Sequence, residues 1–497
     1  MSLSSYVLGI DMGTSGVRCL VVDEAGRALA QGSSPLPAPE VEMLRHEQDA
    51  ELWWTSTTHA LKRTLQDLSA KGDRPENILA LCVAATSGTI VPVDKDLKPL
   101  RSGIMYNDAR ARSEAERLNA LGRETLLRLG YRFNASFGLA KILWLMENEP
   151  GVMEKAYALL HQADFITSRL SEAPKRYGKC MSDESNALKS GYDILEHCWP
   201  DYLSEAGIDM AKLPEVKRIG QSLSTVSKAM AEDLGLNPEC VIVGGMTDGT
   251  AGCVASGANK IGDMNTTLGT TIVWKMLTST LVYDPEGRLY SHRHPGGHFL
   301  PGGAGNAGGE GLSSFFQVGA DDRAAHLSKL AEGIIPGPPT ATITYPLASH
   351  GERFPFVDPN FAPFTTAPRQ EETLIYRSCL EGIACIERWG YEVAHELGAE
   401  TGGEVWTTGR GANIDSWLQI RADILNRPVC RASRPEAAYG TALVAAMHVW
   451  FDGSWEKTAS HFIKESHRCE PNAEYRSACD DQYLRFRQLC ENRRSPA

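Results

Sequence analysis

The sequence predicts an α/β protein of two domains built on a similar plan, and three observations carry that reading. Its 497 residues exceed what one ordinary hydrophobic core fills. Strand-like and helix-like segments alternate along the chain. Each half opens with a glycine/threonine hairpin, "GIDMGTSG" and "TTLGTTI", and later carries a strand, a glycine turn and a helix, "VGGMTDGTAG" and "TTGRGANIDS". The boundary is expected near Gly257–Gly262, giving domains 1–257 and 258–497 that meet at a cleft.

Each element has its own local signal. Tyr6–Ile10 and Val17–Val22 are apolar, β-branched runs joined by "DMGTSG", which reads as a β-hairpin, with a third strand after "DEAG". Leu79–Ala84 is a buried strand, succeeded by a Thr/Ser/Gly turn and a short strand. Helical patterning dominates from Asn107 to Ala173 and includes "LAKILWLMENEP" with its proline stop. "VIVGGMTDGTAGCVASGA" is a strand, a turn and a small-residue helix. A second strand-rich block starts at "KIGDMNTTLGTTIVWKML", then come a Gly/Pro/His loop (Ser291–Gly311) and a proline-rich stretch (Ile335–Pro368). "EETLIYRSCLEGIACIERWGYEVAHEL" is a long amphipathic helix. "GEVWTTGRGANIDSWLQIRADILNRPVCRAS" reads as strand, glycine turn, helix, strand, and "EAAYGTALVAAMHVW" as a closing helix.

Bulk properties narrow the function. Hydrophobic content of 42% and charged content of 23% are those of a soluble globular protein. A formal charge of −12 argues against nucleic acid or an anionic membrane as partner. It leaves room for a phosphate site, which backbone amides build inside an acidic protein. Twelve cysteines with no C-x-x-C pair read as reduced thiols of a cytosolic protein. "MSLSSYVLG" lacks the charged start and apolar run of a signal peptide, and no stretch reaches the roughly 18 apolar residues of a membrane span. A cytoplasmic location is expected.

The chemistry concentrates in small-residue loops. Asp248 stands alone among glycines, alanines and a threonine in "GGMTDGTAGC". A helix N-cap explains it; so does a base placed where substrate and phosphates approach the backbone. Three glycine turns each come after a strand, Gly13–Gly16, Gly269–Thr271 and Gly409–Gly411, and such turns let the main chain close on phosphate. None is a Walker motif, and the first leads into a strand instead of a helix, which excludes a dinucleotide fingerprint. "SHRHPGGH" offers His292, His294 and His298, but a zinc site needs a fourth ligand. Trp53, Trp54, Trp144 and Trp417 read as core.

In combination these stretches resemble the FGGY family of carbohydrate kinases, in the larger group that includes actin, hexokinase and the 70-kDa chaperones. The first phosphate loop is "GIDMGTSGVRCLVVD", the second "NTTLGTTI", and the adenosine loop "TTGRGANIDSWLQIRADILNRPV" with "YGTALVAA" after it; "EQDAELWW" and "GERFPFVDPN" are further landmarks. "ATSGTIVPVD", "SDESNALKSGYD", "GGMTDGTAGCVASGA" and "LYSHRHPGGHFLPGGAGNAGG" look most like the D-ribulose kinase (xylulose kinase-like) branch. Xylulose kinases usually carry Met-His where this chain has Thr86-Ser87.

The resemblance implies two actin-like (ribonuclease H-like) ATPase domains with mixed sheets flanked by helices, sugar held mainly by the first and ATP mainly by the second. Asp248 corresponds to the catalytic base. Asp11 is implied to hold Mg²⁺, through water, with Asp248 beside it. Gly13, Thr14, Ser15 and Arg18 lie near the transferred phosphate, Gly269, Thr270 and Thr271 cradle the nucleotide phosphates, and Gly409, Arg410, Gly411 and Asn413 shape the adenosine site. Arg410 replaces a glycine common in the family. Ser87, Asp108, Lys141 and Asp183, with Asp11 and Asp248, are the implied sugar contacts, although caps, surface pairs or a solvated helix face account equally for Asp108, Lys141 and Asp183. The implied reaction is D-ribulose plus ATP giving D-ribulose 5-phosphate and ADP. Xylulose, ribitol or another polyol are the alternatives within the family, and a nucleotide-gated binding protein without sugar chemistry is the alternative outside it. A homodimer is the commonest expectation for such proteins.

Overall fold

The apolar run Tyr6–Gly13 forms β1, buried nearly end to end as suits a central strand covered on both faces. It pairs antiparallel with β2 (Gly16–Asp23), which pairs antiparallel with β3 (Ala28–Pro35), and on its other side lies parallel to β4 (Ile78–Ala85). With β5 (Ser222–Thr225) and β6 (Val241–Thr247) these make a six-stranded mixed sheet in the order β5-β6-β4-β1-β2-β3. Helix α1 (Ala50–Ala70), N-capped by Asp49, sends Trp53, Leu61 and Leu65 into the core shared with Leu8 and Ile10. Further along come α2 (Gln162–Leu170), α3 (Glu184–Ala187) and α4 (Asp248–Ala255). The computed structural model describes residues 5–495, which form two compact units; the first comprises 5–255, His292–Gly297 and Glu436–Ile463.

The second unit comprises Ser256–Ser291, His298–Pro435 and 464–495. Its strands are β7 (Met264–Leu268), β8 (Ile272–Met276), β9 (Phe299–Ala304), β10 (Val405–Thr408), β11 (Val429–Ala432) and β12 (Glu465–Cys469). They lie in the order β12-β11-β10-β7-β8-β9, with Tyr290–Arg293 added beyond β9. Order and pairing sense repeat those of the first unit: β7 is antiparallel to β8 and parallel to β10, β10 is parallel to β11, and β11 is antiparallel to β12. The expected echo between the halves is a repeated topology. Helices α5 (Glu372–Glu396) and α6 (Asp415–Leu425) flank this sheet, and their apolar faces join its core through Ile383, Ile386, Trp417 and Leu418.

Two readings of the sequence need correction, and both concern the extent of single elements. By contacts, Glu436–Ile463 packs with the first unit. That segment contains α7 (Ala437–Trp450), whose small residues let it lie against the first sheet: a Cβ on Gly9 of β1 would stand 2.2 Å from the Ala438 carbonyl oxygen. It is also not the closing helix, since Trp455–Phe462, β12 and Arg476–Glu491 come after it. The stretch from Asn107 to Ala173 is broken by a strand, Ala158–His161, which pairs antiparallel with Ile90–Val93. Its four residues are too few to show helical or strand periodicity by themselves.

Candidate active site

In the first unit the polar residues gather at the carboxyl ends of three parallel strands. Asp11 on β1 is level with Ala84 on β4, and Ala84 with Met246 on β6; Asp248 is two residues further on. Two strand spacings separate β1 from β6, about 10 Å. The register of β6 against β4 shifts between Val243 and Met246, where Gly244 and Gly245 form a bulge. A Cβ on Gly245 would stand 1.9 Å from the Val83 carbonyl oxygen, so only glycine permits this approach. A bulge re-aims the chain beyond it, and Asp248 is the first residue after this strand.

Asp248 is the first residue of α4, half-buried, with the Gly249 N–H donating to its carboxylate at 2.6 Å. The small residues after it are set by packing: Ala251, Cys253 and Ala255 are buried, and a Cβ on Gly440 of α7 would stand 2.1 Å from the Ala251 carbonyl oxygen. The sparse side chains around the acid therefore serve the α4–α7 contact as much as access to the acid.

Asp11 is nearly fully buried, and its Oδ1 has no hydrogen-bond partner. Burial, with the charge of Asp248 next, pushes its pKa up to about 7, against the pull of Arg18, whose guanidinium lies 3.7 Å away. A buried carboxylate whose proton affinity a second carboxylate raises, with one oxygen unsatisfied, fits a divalent cation: Mg²⁺ takes oxygen ligands from one or two carboxylates and keeps several waters. Among the described residues no group of three or more His, Cys, Asp or Glu side chains is arranged to hold a metal, and this includes the histidines near 292–298. His294 instead accepts the Gly296 N–H and stacks edge-on against Trp455.

Thr14 and Ser15 form the tip of the β1–β2 hairpin between Gly13 and Gly16, and Arg18 is largely exposed. Ser87 lies just past β4 in a turn that is held from several sides. The Gln162 side-chain oxygen at the start of α2 accepts from the Thr86 N–H (3.2 Å) and hydroxyl (2.6 Å). The fully buried Lys141 ammonium donates to the carbonyls of Gly88 (2.7 Å) and Ser136 (3.1 Å). Burial holds its pKa well below the usual lysine range, with Lys189 adding to the effect. Lys141 is therefore a turn-holding residue and not part of a solvated helix face.

Asp108 and Asp183 are likewise engaged within the protein. Asp108 takes Arg110 through Nε (2.9 Å) and Nη2 (2.7 Å) and the His46 N–H at 2.7 Å. Asp183 caps α3, accepting the Asn186 backbone and side-chain N–H groups at 2.8 Å each, and burial raises its pKa. Sequence reasoning did not single out Gln162 or Ser185, whose hydroxyl lies 3.4 Å from the Thr247 N–H. The signal was available for Gln162: "HQAD" forms a capping box at the start of α2.

In the second unit the glycine bends end two adjacent parallel strands. Thr267 of β7 is level with Thr408 of β10, their hydroxyls 2.8 Å apart, so Gly269 and Gly409 leave the sheet side by side. Gly409 has φ +83°, and a Cβ there would stand 2.4 Å from the Leu268 carbonyl oxygen. The Gly269–Thr271 bend is pinned from below, because the Gly309 N–H donates to the Gly269 carbonyl and the Glu310 N–H to that of Thr270. Arg410 and Asn413 are exposed on the short helical turn Arg410–Asn413, and Gly411 packs against Trp417.

Family models decide the assignment. The N-terminal domain model of the FGGY family of carbohydrate kinases matches residues 6–255, and its C-terminal domain model matches 264–449. The chain belongs to the FGGY family of carbohydrate kinases. It is thus an ATP-dependent sugar kinase. Among curated relatives it is similar to a xylulose kinase of Bacillus subtilis, 26% identical over 94% of this chain and 93% of that protein. A gluconokinase of Bacillus licheniformis is 23% identical over 95% of this chain and 93% of its own. Among solved structures, the xylulose kinase of Rhodospirillum rubrum superposes with a TM-score of 0.84 at 23% identity, covering 98% of both chains. That likeness shows that the two proteins share a fold.

Proposed function

We propose that this kinase transfers the γ-phosphoryl group of ATP to a primary hydroxyl of a pentulose, D-ribulose before others. The observation that carries the reading is the pair of carboxylates, Asp11 and Asp248, at the ends of β1 and β6, electrostatically coupled and backed by Arg18. Asp248 takes the proton of the attacking hydroxyl; little else is asked of the protein beyond positioning and charge stabilisation. Bound Mg²⁺, held by Asp11 and Asp248, supplies neutralisation of the phosphate charge. The bends at Gly269–Thr271 and Gly409–Asn413 hold the nucleotide phosphates and adenosine through backbone N–H groups, and the Gly13–Arg18 hairpin offers backbone N–H groups and a guanidinium suited to phosphate. The Thr86 hydroxyl is tied to Gln162 and Thr89, which holds the turn rigid, and the buried Ser87 hydroxyl beside it has no partner among the described residues, which suits a hydroxyl-rich acceptor. Asp108, Lys141 and Asp183 shape the first unit around that acceptor instead of touching it.

Xylulose is the second reading, favoured by the naming of relatives such as the Bacillus subtilis and Escherichia coli enzymes. Against it stands the Thr86-Ser87 pair in place of Met-His. A coupled ADP-release assay over D-ribulose, D-xylulose, ribitol and L-ribulose decides between them. The proposal expects the highest kcat/KM with D-ribulose. A higher value with D-xylulose overturns the substrate, and sugar-independent ATP turnover overturns the reaction.

A further inference from the structure

A pocket of about 490 Å³ opens in the second unit, lined by Arg388, Tyr391, Glu392, His395, Arg427 and Arg476. It lies where α5 ends and where the chain enters β10 (Thr401, Gly402) and β11 (Asn426, Arg427). That is the amino end of these strands, opposite to the end that carries Gly409. No residue assigned to sugar or nucleotide lines it.

Its charges are unevenly matched. Arg388 is neutralised by Asp480 at 2.8 Å and Glu392 at 3.1 Å, and Arg476 by Asp480 at 2.6 Å. Arg427 is half-buried, its guanidinium donates only to the Gly403 carbonyl at 3.4 Å, and among the described residues no carboxylate pairs with it. Burial, opposed by Tyr391 and reinforced by Arg388, holds Arg427 below the ordinary arginine range. A half-buried guanidinium with no carboxylate partner is costly unless an anion joins it. The fork of a guanidinium is well shaped for phosphate oxygens. The Thr401 hydroxyl and the exposed His395 and Glu396 add hydrogen-bonding groups for hydroxyls, and the volume suits a small molecule.

A buried chain of hydrogen bonds leads from this pocket to the glycine bends. The Tyr391 hydroxyl lies 2.6 Å from that of Thr266 on β7, and Thr266 donates to Glu387. Arg421, fully buried, clasps Glu387 at 2.7 Å and donates to the Thr407 hydroxyl on β10 at 2.8 Å. Gly269 and Gly409 come within three residues on their strands.

We propose that this pocket is a regulatory site for a small, hydroxyl-bearing phosphate monoester whose binding changes nucleotide affinity at the 269 and 409 bends. The effect on nucleotide affinity rests on the nucleotide role proposed above for those bends. Calorimetric titration of the full-length protein with ribose 5-phosphate tests it, with inorganic phosphate and ribose as half-ligands and ADP affinity measured before and after. Expected are binding of ribose 5-phosphate that Arg427→Gln weakens by about tenfold or more, binding of ADP alone that Arg427→Gln leaves unchanged, and a shift of roughly threefold in ADP affinity in the wild type only. If Arg427→Gln does not fold, His395→Glu, on an exposed helix end, places a carboxylate at the pocket and is expected to weaken binding likewise. No binding, binding indifferent to the substituted side chain, or an unchanged ADP affinity at saturation each overturns the proposal. None of these readouts involves turnover, so a failure here is separable from a failure of the pentulose assay.

Discussion

β1 and β7 hold the same place in two sheets of the same strand order, yet they end differently. β1 carries Asp11 and then turns through Gly13–Gly16, whereas β7 ends in Leu268 and bends at Gly269 with no acid. The strands β6 and β11 correspond as well. β6 runs straight into α4 with Asp248 as its first residue. β11 leads through Ser433–Glu436 into α7, whose alanines and glycine pack in the first unit. In the function proposed above, one frame serves carboxylate chemistry in the first unit and backbone N–H chemistry in the second. Topology fixes where the strand ends lie; the residues at those ends decide what they bind.

Breaking a bend on the nucleotide side should separate the two halves most strongly. Gly409→Ala forces φ +83° on a residue whose Cβ meets the Leu268 carbonyl at 2.4 Å, a strain of about 1–3 kcal/mol or more. ADP affinity measured by calorimetry is expected to fall about tenfold or more, with pentulose affinity unchanged. Gly252→Ala, where an added Cβ meets nothing within 4 Å, is the matched control in the first unit and should change neither. Equal ADP affinity in Gly409→Ala and wild type would remove the bend from the nucleotide site.

Within the first unit, Asp108 and Asp248 are expected to part ways. Asp108→Asn weakens the clasp on Arg110 and the His46 N–H and should cost about 2 kcal/mol of stability. Steady-state kinetics should nonetheless keep the pentulose KM within about twofold, and a tenfold rise would restore Asp108 as a sugar contact.

Asp11 gives the smallest effect, read in pH. Its folded pKa, about 7, lies above the ordinary 3.8, so the unfolded chain ionises first and this group withdraws stability as pH rises from about 4 through 7. Asp11→Asn should therefore melt above the wild type at pH 8 by on the order of a few °C and match it near pH 4. Added Mg²⁺ should raise the wild-type melting temperature more at pH 8 than at pH 5, and should do less for Asp11→Asn. A variant that melts below the wild type at pH 8 would contradict the buried, strained carboxylate.

Local pattern carried much of this into view. The β1–β2 hairpin, β4, the long α5 and the β10–α6–β11 passage are each long enough for period and punctuation to show, and they stand where the residues place them. That Asp11, Asp248 and the glycine bends stand at strand ends was legible for the same reason: a glycine or lone acid at a strand end is a local signal. The features that stayed hidden depended on tertiary partners. Lys141 lies within an amphipathic helix pattern, and only the fold shows its ammonium sealed on the Gly88 carbonyl. Asp108 and Asp183 are legible as polar candidates, but only the fold shows Arg110 and Asn186 holding them. The return of α7 to the first unit is written in "AAYGTALVAA" and "TDGTAGCVASGA", two small-residue runs that fit each other, but complementarity between distant segments has no period to read.

The most direct test of the division of labour is the single-turnover rate of phosphoryl transfer in Asp248→Asn, with ATP and D-ribulose bound beforehand. That experiment isolates the chemical step from product release. The rate is expected to fall by roughly two orders of magnitude or more while both ligands bind as in the wild type. A single-turnover rate equal to the wild type would contradict the base at the end of β6, and with it the account of the first unit.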